Sequence, residues 1–370
     1  VADESTDLTG KVAVVFGTRP EIIKQAPVLH ALGADGAGVF TGQHYDPELT
    51  DAVFRSCGLE PLAPAVDGVG GGTRAQQVAR MVDRLADRFT RQRPRAVVVQ
   101  GDTNTANAGA QAGHYLGITV VHVEAGLRSH DRAMPEETNR LLISALADVH
   151  CAATPENARN LLDGAVPATS VFVTGNPVVE AVTALCPSPE ETAALLAGLG
   201  VAPGGVVATV HRPENTDDPQ RLRTLLAGLG ELGAPVALPL HPRTRKALTA
   251  WGVPVPATVR VLPPVDYRTF LALTRSASLL VSDSGGLQEE VTVLKKPLVV
   301  VRTSTERPES VAAGFSVLSE PEDLVAHARR MTAPQAVARL ADTPSPYGDG
   351  LASQRIATLA RGGVPALQAV

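Results

Sequence analysis

LLVSDSGGLQEE, residues 279–290, is the stretch that decides the fold. An apolar run over 277–281 ends in small residues and turns at once into a helical pattern carrying Gln288, Glu289 and Glu290. A strand that feeds a helix through Ser284, Gly285 and Gly286 leaves backbone N–H groups at the positive end of the helix dipole, which is a seat for a diphosphate. Glu290 follows Ser284 by six residues, about a turn and a half of helix, where a carboxylate can reach sugar hydroxyls beside a bound phosphate. Seat plus carboxylate points to a nucleotide. Ser-Gly-Gly alone reads equally well as a glycine-rich turn with a capping serine, so the rest of the chain must arbitrate.

Working outward, short Val- and Ala-rich runs recur at 11–16, 37–41, 96–99, 119–123, 149–152 and 171–174, each followed by a helical pattern. The rhythm restarts at 205–210, 236–240, 259–262, 279–281 and 298–301. Continuously apolar strands alternating with helices predict parallel sheets covered on both faces, hence an α/β chain of two Rossmann-like, doubly wound domains. At 370 residues the chain also exceeds what one core usually organises. The junction falls near Gly175-Asn176-Pro177, giving an N-terminal domain over 1–176, completed by a C-terminal helix within 350–370, and a C-terminal domain over 177–349.

Charged residues at 19% and a net charge of -5 leave no basic surplus for holding a polyanion, so nucleic acid is not an expected partner. No apolar run reaches the roughly 18 residues of a membrane span, and residues 1–10 are acidic and polar, unlike a secretion signal. A soluble cytoplasmic protein is expected. Cys57, Cys151 and Cys186 are odd in number and far apart, which indicates neither a disulfide framework nor a zinc site.

The chemistry gathers at strand ends, where open α/β sheets place their active groups. Gly17-Thr18-Arg19-Pro20-Glu21 ends the first run with a capping box and a helix start, so Arg19 and Lys24 are candidate anion-binding cations. Asp102 and Glu124 end two successive runs, and Glu136 opens the helix that carries Asn139 and Arg140. Three acids converging on one edge would repel unless something uses or neutralises them, a part open to Arg128 and Arg140. His211 and Arg212 follow the first run of the second domain, where a histidine can donate to a leaving phosphate. Arg307 and His241 end later runs. No GxGxxG follows a strand, and GxxxxGK[ST], HExxH and GxSxG are missing, which leaves a nucleotide sugar as the expected substrate.

Together the segments GTRPEIIK (17–24), TGQHYD (41–46), QGDTNT (100–105), HVEAGLRS (122–129), MPEETNR (134–140), VTGNPV (173–178), HRPEN (211–215), SDSGGLQEE (282–290) and TERPE (305–309) resemble the non-hydrolysing UDP-N-acetylglucosamine 2-epimerase family. The resemblance implies a GT-B-like fold with a central cleft, a homodimer, no metal and no redox cofactor. It implies reversible epimerisation of UDP-N-acetylglucosamine to UDP-N-acetylmannosamine, by elimination of UDP to a 2-acetamidoglucal and re-addition. By position, Asp102, Glu124 and Glu136 match the acids that handle protons, and His211 the histidine at the leaving diphosphate. Arg19, Lys24, Arg140, Arg212, Ser284, Gly285, Gly286, Glu290 and Arg307 fall among the substrate-binding positions. Gln43, His44 and His241 are candidate regulatory positions, although His241-Pro242-Arg243 departs from the His-x-Asn-Pro of relatives that bind a second UDP-N-acetylglucosamine as activator. Two rivals keep the fold: a hydrolysing epimerase that releases N-acetylmannosamine and UDP, and a GT-B glycosyltransferase.

Overall fold

The computed structural model describes residues 6–43, 47–66, 69 and 72–363. They form two compact units, one running through Ala181 and resuming at Tyr347, the other spanning Val182–Pro346.

The first unit is built on six parallel strands: β1 (Val12–Phe16), β2 (Gly36–Phe40), β3 (Ala96–Gln100), β4 (Thr119–Ala125), β5 (Val149–Ala152) and β6 (Val171–Val173), in the order β2-β1-β3-β4-β5-β6. Every residue of β1 and β3 is buried, as a sheet covered on both faces requires. The chain winds outward from β1 to β2 and then crosses to β3, so the strand order reverses between β1 and β3. Such a switch point opens a crevice at the carboxyl ends. The helix Asn104–Tyr115 lies close on this sheet because it carries glycine where other residues would not fit. A Cβ on Gly109 would stand 2.8 Å from Val99, and one on Gly113 would stand 2.8 Å from Val120. Met81, Leu85 and Phe89, from the helix Arg74–Arg91, complete the core on that face. The helix expected within 350–370 is observed as Ala352–Ala360. It packs on the helix Arg19–Leu32, and Arg361 fixes the join by donating to Asp35 and to the carbonyl of Leu32, each at 2.8 Å.

The second unit repeats the plan with β7 (Val206–Thr209), β8 (Val236–Pro239), β9 (Val259–Leu262), β10 (Leu279–Ser282), β11 (Leu298–Val300) and β12 (Ser316–Leu318), in the order β12-β11-β10-β7-β8-β9. Here the reversal lies between β7 and β10. Leu222, Leu225, Leu226 and Leu229, one face of the helix Pro219–Gly230, fill the core beneath it. Strand β12, three residues long, was not anticipated, because a run that short between Gly314 and Ser319 carries no periodicity to read. Among the described residues no helix is long and apolar enough to cross a membrane.

Candidate active site

At the first switch point the loop after β1 is organised by a carboxylate. Thr18 caps the helix Arg19–Leu32, with Pro20 as its second residue. Glu21 accepts from the amides of Gly17 (3.1 Å) and Thr18 (2.9 Å) and from the Thr18 hydroxyl (2.8 Å) on one oxygen. Its other oxygen accepts from the Thr103 hydroxyl, at the end of β3, at 2.7 Å. Glu21 thus spans the crevice. Burial pushes its pKa up to about 7, although every one of these donors pulls the other way.

Strands β3 and β4 are neighbours, with Gln100 opposite Val123, so the residues just beyond them, Asp102 and Glu124, end adjacent strands as expected. Glu124 sits where the β4–β5 register shifts between Val123 and Ala125, with φ at 62°. This left-handed backbone is costly for a residue with a side chain and recurs at functional sites. The Glu124 carboxylate lies 3.1 Å from Lys24 Nζ and accepts from Gln100 Nε2 at 3.0 Å. Asp102 is held from another side. Its Oδ2 accepts from Arg140 Nε (2.9 Å) and Nη2 (2.6 Å), and its backbone carbonyl accepts from Asn139 Nδ2 at 2.8 Å.

Lys24, read as a cation for a substrate anion, forms an ion pair with Glu124. Glu136, read as the third converging acid, is 45% exposed on its side chain and lies 4.0 Å from Arg74, whereas Glu137 is buried and bonds Arg140 Nη1 at 2.8 Å. Both acids stand within one turn of Arg140, at four and three residues' distance, and it is Glu137 whose carboxylate makes the bond. Burial opposes ionisation of Glu137, yet bonds from Ser129 and Arg140 hold its pKa below the usual carboxylate range. Arg128 does not reach Asp102 or Glu124 in this way; it bonds the Leu127 carbonyl and Ser144. Arg19 is exposed at the mouth of its helix.

In the second unit His211 follows β7 and Asp283 follows β10. Asp283 is fully buried and accepts from the amides of His211 (2.9 Å) and Arg212 (2.8 Å), from Asn215 Nδ2 (3.1 Å) and from His211 Nδ1 (2.9 Å). Burial would raise its pKa, but His211 and these amides hold it below the usual value. In the turn after β10, Ser284 is not the helix cap that the plain glycine-rich-turn reading supposes. The cap of the helix Leu287–Leu294 is Gly286, without a side-chain bond, and the Ser284 amide donates to Ser282 Oγ at 2.9 Å.

Beneath the turn lies a buried ion cluster. Arg307 donates to Glu289 at 2.8 Å and to Glu306 at 2.6 Å. Glu306 also pairs with Arg302 at 2.9 Å and stands 3.7 Å from Arg212. Against the cost of its burial, these arginines drive the Glu306 pKa far below the usual range. Glu290 accepts from the Tyr267 hydroxyl at 3.0 Å. His241 is exposed, caps the helix Pro242–Trp251 by accepting from the Arg243 amide, and sets its ring 5.4 Å from that of His211 at a tilt of 42°. Gln43, in the first unit, accepts from the amide and hydroxyl of Thr105, each at 2.9 Å. His44 lies outside the described residues.

Reading the chain alone missed Glu21 as more than a capping residue, and missed Gln100, Glu137, Asp283, Glu289, Arg302 and Glu306. A usable mark was present for Asp283, since a carboxylate that ends an apolar run must find donors. The two glycines of the turn are separable. A Cβ on Gly285 would stand 2.6 Å from Arg307 Nη1 and 2.8 Å from Glu306 Oε1, whereas one on Gly286 would meet nothing within 4 Å. Gly285→Ala is therefore expected to displace the ion cluster and lower the melting temperature by several degrees. Gly286→Ala should leave it within about a degree; thermal unfolding of both variants followed by circular dichroism checks the contrast.

Comparison with known proteins agrees with this arrangement. The family model described as UDP-N-acetylglucosamine 2-epimerase matches residues 33–361. The chain is 34% identical to the UDP-N-acetylglucosamine 2-epimerase of Methanocaldococcus jannaschii over 94% of this chain and 97% of that protein. It is also 34% identical to the UDP-2,3-diacetamido-2,3-dideoxy-D-glucuronate 2-epimerase of Pseudomonas aeruginosa, over 94% of this chain and 98% of the other. The crystal structure of the M. jannaschii enzyme in complex with UDP-GlcNAc and UDP superposes with a TM-score of 0.86 at 33% identity, covering 95% of this chain and all of that one. The pair of six-stranded, doubly wound units is thus the GT-B-like fold. On its sequence and its fold, the chain belongs to the UDP-N-acetylglucosamine 2-epimerase family.

Proposed function

We propose that this protein interconverts UDP-N-acetylglucosamine and UDP-N-acetylmannosamine without net hydrolysis. The observation that carries the reading is the pair of carboxylates at adjacent strand ends, Asp102 and Glu124, each gripped by a different cation, Arg140 or Lys24. The C2 hydrogen of the sugar is not beside a carbonyl, so a base alone removes it too slowly. Breaking the C1–O bond builds positive charge at C1 and acidifies that hydrogen. Elimination of UDP then gives a 2-acetamidoglucal, and re-addition with protonation on the opposite face gives the epimer. Such a route needs two acid/base groups and a cationic hold on UDP. In this reading Asp102 and Glu124 exchange the C2 proton and His211 attends the leaving diphosphate. The turn at Ser284 to Gly286, backed by Arg307, binds UDP, and Glu290 binds its ribose. Glu136 keeps the proton-handling role that the resemblance assigns to it.

Incubation with UDP-N-acetylglucosamine in deuterated water, followed by proton NMR, tests this directly. The expected result is deuterium at C2 and a manno-configured UDP sugar without added metal. Free UDP with free N-acetylmannosamine would replace the reading by the hydrolytic one, and product only in the presence of an acceptor would replace it by glycosyl transfer. Because the P. aeruginosa relative is equally similar, a 2,3-diacetamido uronate sugar nucleotide is the second substrate to offer. A homodimer is part of the proposal and is checked by light scattering on the eluting protein.

A further inference from the structure

Strands β7 and β10 are hydrogen-bonded neighbours, and one carboxylate ties together the residues that follow them. Asp283 accepts from donors that never change, the amides of His211 and Arg212 and the side-chain amide of Asn215. It also meets the His211 imidazole, Nδ1 to Oδ1 at 2.9 Å. An ionised carboxylate can only accept, so Nδ1 must carry its hydrogen. In the neutral ring Nε2 is then a bare lone pair. The His211 side chain is 37% exposed while Asp283 is buried at 0%, so the edge of the ring away from Asp283 is the open one. A lone pair aimed at a diphosphate oxygen repels it; a protonated Nε2 attracts it. Among the described residues, His241 lies 5.4 Å away between ring centroids, and the guanidinium of Arg212 turns toward Glu306 at 3.7 Å. The carboxylate in contact with the ring is that of Asp283.

We propose that Asp283 is a positioning residue that makes His211 a proton carrier at Nε2, so that a diphosphate seated at the turn after β10 brings a proton onto the ring as it binds. The use made of that proton rests on the epimerase reading above. As the C1–O bond breaks, its electron pair passes to the β-phosphate oxygen, and the Nε2 hydrogen moves toward that oxygen, leaving neutral imidazole. On re-addition the bond re-forms and the proton returns to Nε2. Asp283 stays ionised throughout.

Asp283→Asn reverses the tautomer. An amide Nδ2–H donating to Nδ1 places the ring hydrogen on Nε2 of a neutral imidazole, which can donate to UDP without taking up a proton but has none to give. Calorimetric titration with UDP near about pH 8, in buffers of different ionisation enthalpy, should show the wild type taking up a large fraction of about one proton per UDP. Asp283→Asn should take up nearly none while binding within about tenfold, His211→Gln should behave alike, and the double variant should add nothing further. Turnover by Asp283→Asn should fall by about 10²-fold, with KM moving much less. The wild-type protein offers a check that no variant can spoil: 15N NMR of His211 near about pH 8 should show hydrogen on Nδ1 and none on Nε2. A bare Nδ1 there, or equal proton uptake by wild type and Asp283→Asn, overturns the proposal. If UDP does not bind the wild type, the nucleotide reading fails and the NMR result still decides the Asp283–His211 couple. Binding with proton uptake but without C2 exchange sinks the epimerase reading and leaves the couple standing.

Discussion

Replacing Glu124 by glutamine is expected to cut deuterium incorporation at C2 by about 10³-fold while UDP affinity moves less than about threefold. Glutamine keeps the shape of the side chain and can still accept from Lys24, but it cannot take a proton. The fold indicates how much depends on this carboxylate. A φ of 62° at a residue bearing a side chain costs about 1–3 kcal/mol and persists only where the surroundings impose it. What imposes it is visible: the register shift beside β5 turns Glu124 out of the ladder, and Lys24 and Gln100 then hold its Oε2 at 3.1 and 3.0 Å. Lys24 is nearly buried, with 12% of its side chain exposed, so it would be left without its carboxylate in Glu124→Ala, at a cost of about 3–5 kcal/mol. Lys24→Met combined with Glu124→Gln should be less destabilised than the two single variants summed, because the pair is lost only once. Asp102→Asn should also suppress exchange, with Arg140 losing the charge that it pairs with. Normal exchange by Glu124→Gln would remove that residue from the chemistry; a catalytic loss with fully additive stability effects would remove only the argument from Lys24.

What could be read from the chain and what could not divide along a physical line. Strand rhythm is local, so both sheets were legible, and the rule that open α/β sheets act at their carboxyl ends located Asp102, Glu124, His211 and the turn at Ser284 without coordinates. Pairings across the sheet were not legible, because they depend on which strands become neighbours. Lys24 meets Glu124 across 100 positions, and Asp283 meets His211 across 72. Neighbouring acids on one helix were the other limit. Glu136 and Glu137 both fall within one turn of Arg140, and only the coordinates show that Glu137 makes the bond while Glu136 stays exposed. Burial was the third: Glu21 fits a capping box in the sequence, and nothing there reveals that the loop after β3 closes over it.

That closure gives Glu21→Gln an effect on stability opposite to most changes at a buried polar site. The native pKa of Glu21 stands at about 7 against an ordinary 4.5, so between those values the folded protein binds a proton that the unfolded chain has released. Stability therefore falls as pH rises through that window, and above about pH 7 the native state carries the full penalty of an ionised buried carboxylate, on the order of 3 kcal/mol. Below the window both states are protonated and the penalty vanishes. Glutamine removes the charge and can keep a carbonyl toward the Gly17 and Thr18 amides. Its melting temperature near about pH 8 should thus exceed that of the wild type by several degrees, with the two converging toward about pH 5. Retention of so costly an ion follows from what it organises. The Thr103 hydroxyl already accepts from the Ala106 amide as a helix cap, so its hydrogen is free to go only to an acceptor, and an ionised Glu21 is that acceptor, one residue from Asp102. Glutamine, offering N–H to an oxygen that already accepts, should loosen this loop and slow turnover while raising stability, a trade familiar at functional sites. Thermal unfolding followed by circular dichroism across this pH range, with C2 exchange measured alongside, checks both halves. A variant that melts with the wild type or below it near about pH 8 would show that the hydrogen bonds of the ionised carboxylate outweigh its desolvation.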